Sequence, residues 1–340
     1  MKRIILLPFL VLLFACDATI ENLPADISIN DSFLEDFWIS AIAFEEDGTA
    51  WLGTVQQGLI RVKNGKTKIF DATNSNIPDS LWINDIEIDA SGNVWIAANG
   101  VIKYDGTDFT QYLSERTDKN GNTIRDLEIG RDNELWLAGN VTDSEISNSV
   151  DGLDWQTTPV DIQSQEGIIT IYSIAIDHDD NVWMSINGRT VNSAFLAKYN
   201  GDKWTTYGAD ELGFQPYWIK DIAIDSKNKV WGVIDYSLSS TFFDYRPLLF
   251  SFDGTSGKSY LPGEDFTNFL IASKIMIDAH DRVWVAGTRS ISVMENESWI
   301  SNFTLPNERT VLTFEARSAD EVWVGTDRGV TILDVDEVLE

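Results

Sequence analysis

The chain has a single cysteine, Cys16, and only two histidines, His178 and His280, in 340 residues. One cysteine excludes an internal disulfide and any zinc site built from several thiolates. Two histidines leave little material for general-base chemistry, and both fall in short polar turns where a solvated side chain is the simplest reading. Positive charge is scarce as well: 25 Lys+Arg stand against 54 Asp+Glu, for a net charge of −29 spread along the chain. A phosphate backbone would be repelled by such a surface, so nucleic acid is not expected as a partner. The spread of acid reads first as a solubility device. Beyond the first residues no apolar run approaches the roughly 20 residues that a membrane-crossing helix needs, and no helical periodicity appears.

The amino terminus is the exception in hydrophobicity. Lys2 and Arg3 precede an apolar run of 11 residues, Ile4 to Phe14, broken only by Pro8. That run is too short to span a bilayer but suits a secretory signal. Leu13-Phe14-Ala15-Cys16 resembles the lipobox of a bacterial lipoprotein signal. The resemblance implies cleavage before Cys16 and lipidation of Cys16, a multi-chain anchor of the stable sort. The expected layout is therefore a signal peptide over 1–15, a lipid-anchored segment over 16–36, a repeat domain over 37–334 and a short tail over 335–340. The expected address is the cell envelope, on the outer membrane facing the periplasm or at the cell surface, with the membrane touched through the lipid alone.

What the chain has in quantity is tryptophan, 13 in all. Seven of them close a block of 14 residues that recurs without gaps, ending at Trp51, Trp95, Trp136, Trp183, Trp231, Trp284 and Trp323. The spacings are 44, 41, 47, 48, 53 and 39 residues, lengths typical of propeller blades or of helical solenoids. The local pattern selects β-structure. Each block opens with an alternating strand (Ile86 and Ile88, Leu127 and Ile129, Ile222 and Ile224), turns through Asp, Asn or Gly, and re-enters a strand at Val-Trp or its equivalent. A third strand follows and ends in Asn64-Gly65, Asp105-Gly106, Asn200-Gly201 or Asp253-Gly254, a hairpin signal because both turn residues tolerate positive φ. A fourth strand carries an aromatic residue. The expectation is an all-β, seven-bladed β-propeller of four-stranded antiparallel blades. Its seventh repeat lacks an outer strand, so an N-terminal strand should close the ring, with 26–29 at the matching spacing. The block-end tryptophans are expected in the packing between blades.

The stretches Glu45-Glu46-Asp47-Gly48-Thr49-Ala50-Trp51-Leu52-Gly53-Thr54 and Trp323-Val-Gly-Thr-Asp-Arg-Gly-Val330 resemble two-component regulator propeller repeats, and the likeness runs from Trp38 to Asp334. In that family such propellers often form the periplasmic sensing part of hybrid histidine kinases, frequently for carbohydrate signals. This sequence carries no kinase, receiver or later membrane helix, so the expectation is a free-standing lipoprotein relative. Similar seven-bladed repeats also occur in lyases that open macrocyclic antibiotics with histidine and a divalent metal, but no matching histidine pair is evident.

Binding is better supported than catalysis, and no cofactor or metal is expected. The acidic turns Asp177-Asp179-Asn181 and Asp118-Asn120-Asn122 lack the full ligand set of a calcium loop. Loops joining second and third strands should emerge on the same face as the links between blades, and they are longest at Asn140–Asn148, Asn187–Ser193 and Asp235–Arg246. The third contributes Tyr236, Phe242, Phe243, Tyr245 and Arg246, and the second Arg189. The block-opening residues Trp38, Trp82 and Trp218, with Arg125, Tyr172 and Lys220 near the channel mouth, should share that face. Together these residues make up the candidate ligand site. Aromatics beside polar groups grip sugar rings or a protein surface. The expected role is a monomeric binding module for a glycan or an envelope protein. The alternatives are a polysaccharide- or macrocycle-cleaving enzyme, marked by a metal and carboxylate cluster at the mouth, and a scaffold, marked by a large apolar patch.

Overall fold

The computed structural model describes residues 32–112, 123–141, 145–149, 156–159, 169–187, 194–216, 218–234, 249–261, 272–305 and 309–339. Each repeat folds into a four-stranded antiparallel sheet with its strands in sequence order, and seven such sheets form a seven-bladed propeller. The blades span 39–70, 85–112, 124–159, 169–207, 219–260, 274–304 and 311–334. The last is completed by Ser32–Phe33.

The second strand of each blade explains why the repeat reads as a continuous apolar run. In Val94–Ala98, Val182–Asn187 and Val230–Ile234 every residue is buried, because neighbouring blades cover both faces. All seven block-end tryptophans are buried there. Each indole N–H donates to a carboxylate: Trp95 to Asp89, Trp183 to Asp177, Trp231 to Asp225 and Trp284 to Asp278, at 2.8–3.0 Å. Trp51 donates to Glu45, Trp136 to Glu134 and Trp323 to Glu321. The same aspartates tie off the turn. Asp89 Oδ1 accepts the amides of Ser91 and Asn93, and Asp177 Oδ1 those of Asp179 and Asn181. Burial alone would raise the Asp89 and Asp177 carboxyls, but these donors outweigh it and hold both below the ordinary value. Part of the acidic excess is thus structural.

The Asx-Gly turns behave in two ways. Asn64 and Gly65 both adopt positive φ, 51° and 68°, as a two-residue hairpin requires. At Asp105, Asn200 and Asp253 only the following glycine does so, and the Asx side chain instead accepts the two backbone N–H groups of the turn, at 2.8–3.1 Å. The side chain there supplies the closure that backbone geometry supplies at Asn64.

The ring closes at blade 7. Ser32 and Phe33 pair with Thr331 and Val330, and the Phe33 ring meets Trp323 edge-on at 5.2 Å. The closing segment expected at 26–29 lies outside the described residues. Buried Arg309 fastens the junction by donating to the Arg328 carbonyl and to Glu35 Oε1, both at 2.8 Å. Gly329 has φ +80°, and a Cβ there would stand 2.1 Å from the Phe33 carbonyl oxygen, so this position admits glycine alone.

Three sequence expectations need correction. Asn140–Asn148 is mostly strand: Leu135–Val141 and Glu145–Ser149 leave only 142–144 between them. The far end of Leu135–Val141 crosses to blade 4, pairing Asn140 with Thr170 and Val141 with Ile169, and merges two blades into one eight-stranded sheet. Asn187, placed in a loop, ends a strand and pairs with Ala194. Among the described residues there are two short helices, Ala209–Leu212 and Val335–Leu339, both too short to leave a periodic signal. The second occupies the expected tail and buries Val335 against blades 6 and 7.

Candidate functional site

The inner strands carry the site, and their irregularity positions it. In blades 1, 3, 4, 5 and 7 the pairing between first and second strands slips, at Ile39/Ala41, Ile124/Asp126, Ile171/Ile174, Ile219/Asp221 and Val311/Thr313. A bulge of this kind leaves an extra residue unpaired and re-aims its side chain. The bulged residues include Arg125, Tyr172 and Lys220, three of the residues expected at the mouth. The structure brings them together across three blades. The Arg125 guanidinium lies 4.7 Å and the Lys220 ammonium 4.6 Å from the Tyr172 ring centroid, while Lys220 is also 4.9 Å from that of Trp218. Tyr172 and Trp218 lie 6.0 Å apart, with ring planes tilted by 34°. All four side chains are half-buried.

The two other block-opening tryptophans lie beside blade 1. Val55 forms a bridge with Trp82, and its amide donates to the Trp38 carbonyl at 3.0 Å. Both indoles are unusually exposed for their size, Trp38 at 51% and Trp82 at 55%. The Val55–Trp82 and Asn99–Thr123 bridges place the ends of second strands beside the starts of the next inner strands, so these features share one end of the ring. Cys16, Arg189, Tyr236, Phe242, Phe243, Tyr245 and Arg246 lie outside the described residues, as do 142–144, 188–193 and 235–248.

Below the mouth the inner strands enclose a channel of about 530 Å³, lined from all seven blades. The sequence reading overlooked its chemistry. Residues two apart on a strand share a face, and Asp85 with Glu87 and Asp126 with Glu128 follow that rule into the lumen. Asp221, Lys274 and Glu315 join them. The upper members also join one blade to the next through amides on the exposed inner edge of each sheet. Asp85 Oδ2 accepts the Leu127 amide at 3.0 Å, Asp126 Oδ2 that of Ile174 at 2.8 Å, and Asp221 Oδ2 that of Ile275 at 3.0 Å. In blade 4 the Ser173 hydroxyl accepts the Ile222 amide and donates to Asp221 Oδ1 at 2.8 Å. Five of these carboxyls do not ionise freely. Burial, reinforced by Asp85, pushes Asp126 up to about 8. Burial pushes Glu315 up to about 7 and holds Glu87 and Glu128 well above the usual range, the neighbouring carboxylates adding to both. Asp221, 3.8 Å from Lys274 Nζ, is also raised by burial, and its charge holds the ammonium above its ordinary value.

The histidines stand elsewhere. His178 and His280 are exposed in the turns after the inner strands, at the opposite end from the mouth. His178 is bound through its backbone, its carbonyl accepting from Arg131 and its amide donating to Asn228 Oδ1. Asp177 in the same turn is committed to Asn181 and Trp183, and Asp179 Oδ2 accepts from Asn228. Residues 118, 120 and 122 lie outside the described residues. Among the described residues no group of His, Cys, Asp or Glu is arranged to hold a metal ion.

No family model matches the chain, and no curated protein matches it. Solved structures share its fold. A catalytically inactive virginiamycin B lyase from Staphylococcus aureus, with quinupristin, superposes with a TM-score of 0.68 at 10% identity, covering 93% of this chain and 99% of that one. The extracellular domain of a proposed hybrid two-component system, BT3049 from B. thetaiotaomicron, gives 0.66 at 16% identity over 94% of this chain and 41% of that longer one. YCF48 from Cyanidioschyzon merolae gives 0.60 at 13% identity, covering 94% and 99%. At these identities the likeness is one of fold, shared by proteins with different roles.

Proposed function

We propose that this chain is an exported, non-enzymatic recognition module that binds a glycan on the face holding the channel mouth. The observation that carries this reading is the concentration of ring faces and cations there: Trp38 and Trp82 half-exposed, and the Arg125, Tyr172, Lys220 and Trp218 row at the rim. A rigid propeller presents such groups with little ordering cost. Flat aromatic faces beside polar hydrogen-bonding groups suit saccharides, which offer C–H faces and hydroxyl edges. The scaffold reading has less support, since the exposed large apolar side chains among the described residues number only four, Trp38, Trp82, Leu261 and Ile300. The lyase reading is weakened by the position of both histidines at the far end of the ring.

The motifs at 45–54 and 323–330 support kinship with two-component regulator propellers, in keeping with the extracellular domain of BT3049 among structures of the same fold. That likeness and the signal-like amino terminus support export, and lipidation of Cys16 would tether the propeller to an envelope membrane. The test is a glycan array probed with the purified protein and with a Trp38→Ala/Trp82→Ala variant. Array signal that falls at least about tenfold in a variant with unchanged circular dichroism supports the reading, since two exposed aromatic contacts are worth on that order. If the wild-type protein binds no glycan, the glycan reading fails and a protein partner takes its place.

A further inference from the structure

The rim residues have a chemical bias that the rest of the chain opposes. The molecule carries a net charge of −29, yet two of the three positions that the bulges aim at the mouth in blades 3, 4 and 5 are Arg125 and Lys220. The equivalent positions elsewhere are Ser40, Asn84, Ser273 and Leu312. The ring between the two cations is no open platform, because Tyr172 already has a cation over its ring from blade 3 and another from blade 5. Its role is to hold the cations. Each such contact is attractive, and more so when desolvated. Arg125 is incompletely satisfied as well, its Nε being buried with no hydrogen-bond partner. A guanidinium held against a ring is a preorganised receptor for a planar or tetrahedral oxyanion.

We propose that this rim takes a saccharide bearing an anionic group, a uronate carboxylate or a sulfate, held by Arg125 and Lys220 while Trp218 and the edge of Tyr172 contact the sugar. This rests on the glycan reading of the same face and names the ligand class within it. Two of the channel carboxyls, those next in sequence to the cations, are kept from opposing the attraction in full. Asp126, in the same strand as Arg125, keeps its proton up to about 8, burial and Asp85 holding it there. Asp221 is balanced by Lys274, 3.8 Å away.

The experiment uses matched saccharides with and without the anion: oligogalacturonates against their methyl esters, and sulfated galactan oligosaccharides, which carry no uronate, against their desulfated forms, within an array that also carries neutral glycans. The two matched pairs separate carboxylate from sulfate as the recognised anion. The purified protein is compared with Arg125→Gln/Lys220→Gln and with the charge-keeping Lys220→Arg. The expected result is that the bound glycans are acidic, and that esterification or desulfation removes the signal. Binding should fall by about tenfold or more in the double Gln variant, the loss of even one charge-assisted hydrogen bond. It should survive in Lys220→Arg and weaken with added salt. Unfolding midpoints identify a variant that has merely lost its fold. Neutral glycans bound as tightly as acidic ones, or acidic glycans held equally by the folded double variant, would overturn the proposal while leaving the glycan reading intact. Absence of any glycan binding would remove both.

Discussion

Replacing Glu315 by Gln should stabilise the protein, and the gain should appear only as the pH rises. Glu315 faces the channel, where burial raises its carboxyl from the ordinary 4.5 to about 7. The folded state thus keeps a proton that the unfolded chain has released over this interval. Stability from this group is complete below pH about 4.5 and is lost as pH climbs through about 7. A shift of that size corresponds to about 3 kcal/mol at 1.36 kcal/mol per unit. Channel water screens part of it, so the realised penalty is about 1–2 kcal/mol. Glutamine is neutral at every pH and nearly isosteric, and so escapes the penalty. Urea unfolding of both proteins at pH 4.5, 6, 7 and 8 reads the difference directly. The two should coincide at pH 4.5, and the variant should lead by about 1–2 kcal/mol at pH 8. Acids with lowered values elsewhere, such as Asp89 and Asp177, cancel in the comparison. An advantage independent of pH, or one largest at pH 4.5, would refute the claim that Glu315 is held protonated in the channel.

Two further outcomes concern the frame. Gly329→Ala should lower the unfolding midpoint by the equivalent of about 2 kcal/mol or more, since the residue is left-handed and its Cβ would meet the Phe33 carbonyl; a midpoint within a degree of wild type would contradict the ring closure described here. Asp177→Ala should cost about 2–3 kcal/mol, because it leaves the buried Trp183 indole N–H and the turn amides of Asp179 and Asn181 without acceptors; an unchanged denaturation curve would show that the turn carboxylate is dispensable.

The fold was legible because its signals are periodic and local. Trp51 through Trp323 mark the second strand of every blade, and the acids that satisfy their indoles lie two or six residues earlier, inside the same block. Loop lengths were read less well. Asn140–Asn148 has a loop-like composition, yet the chain continues as strand because Asn140 and Val141 find partners in blade 4, about thirty residues further along. The channel carboxyls were legible in principle, as Asp85/Glu87 and Asp126/Glu128 are alternate residues of strands already assigned.

The sequence by itself determined seven blades, their strand order and which aromatic residues fill the spaces between them, because strand alternation and indole size impose one packing whatever lies across the ring. Only the tertiary structure decided that Arg125 and Lys220 both address Tyr172, that Trp38 and Trp82 stand out from the surface, and that six carboxyls share one narrow lumen. Those outcomes depend on bulges, where two paired strands fall out of register, and on contacts between residues a full repeat apart. No local pattern encodes either, since both arise from how each blade is wedged against its neighbours.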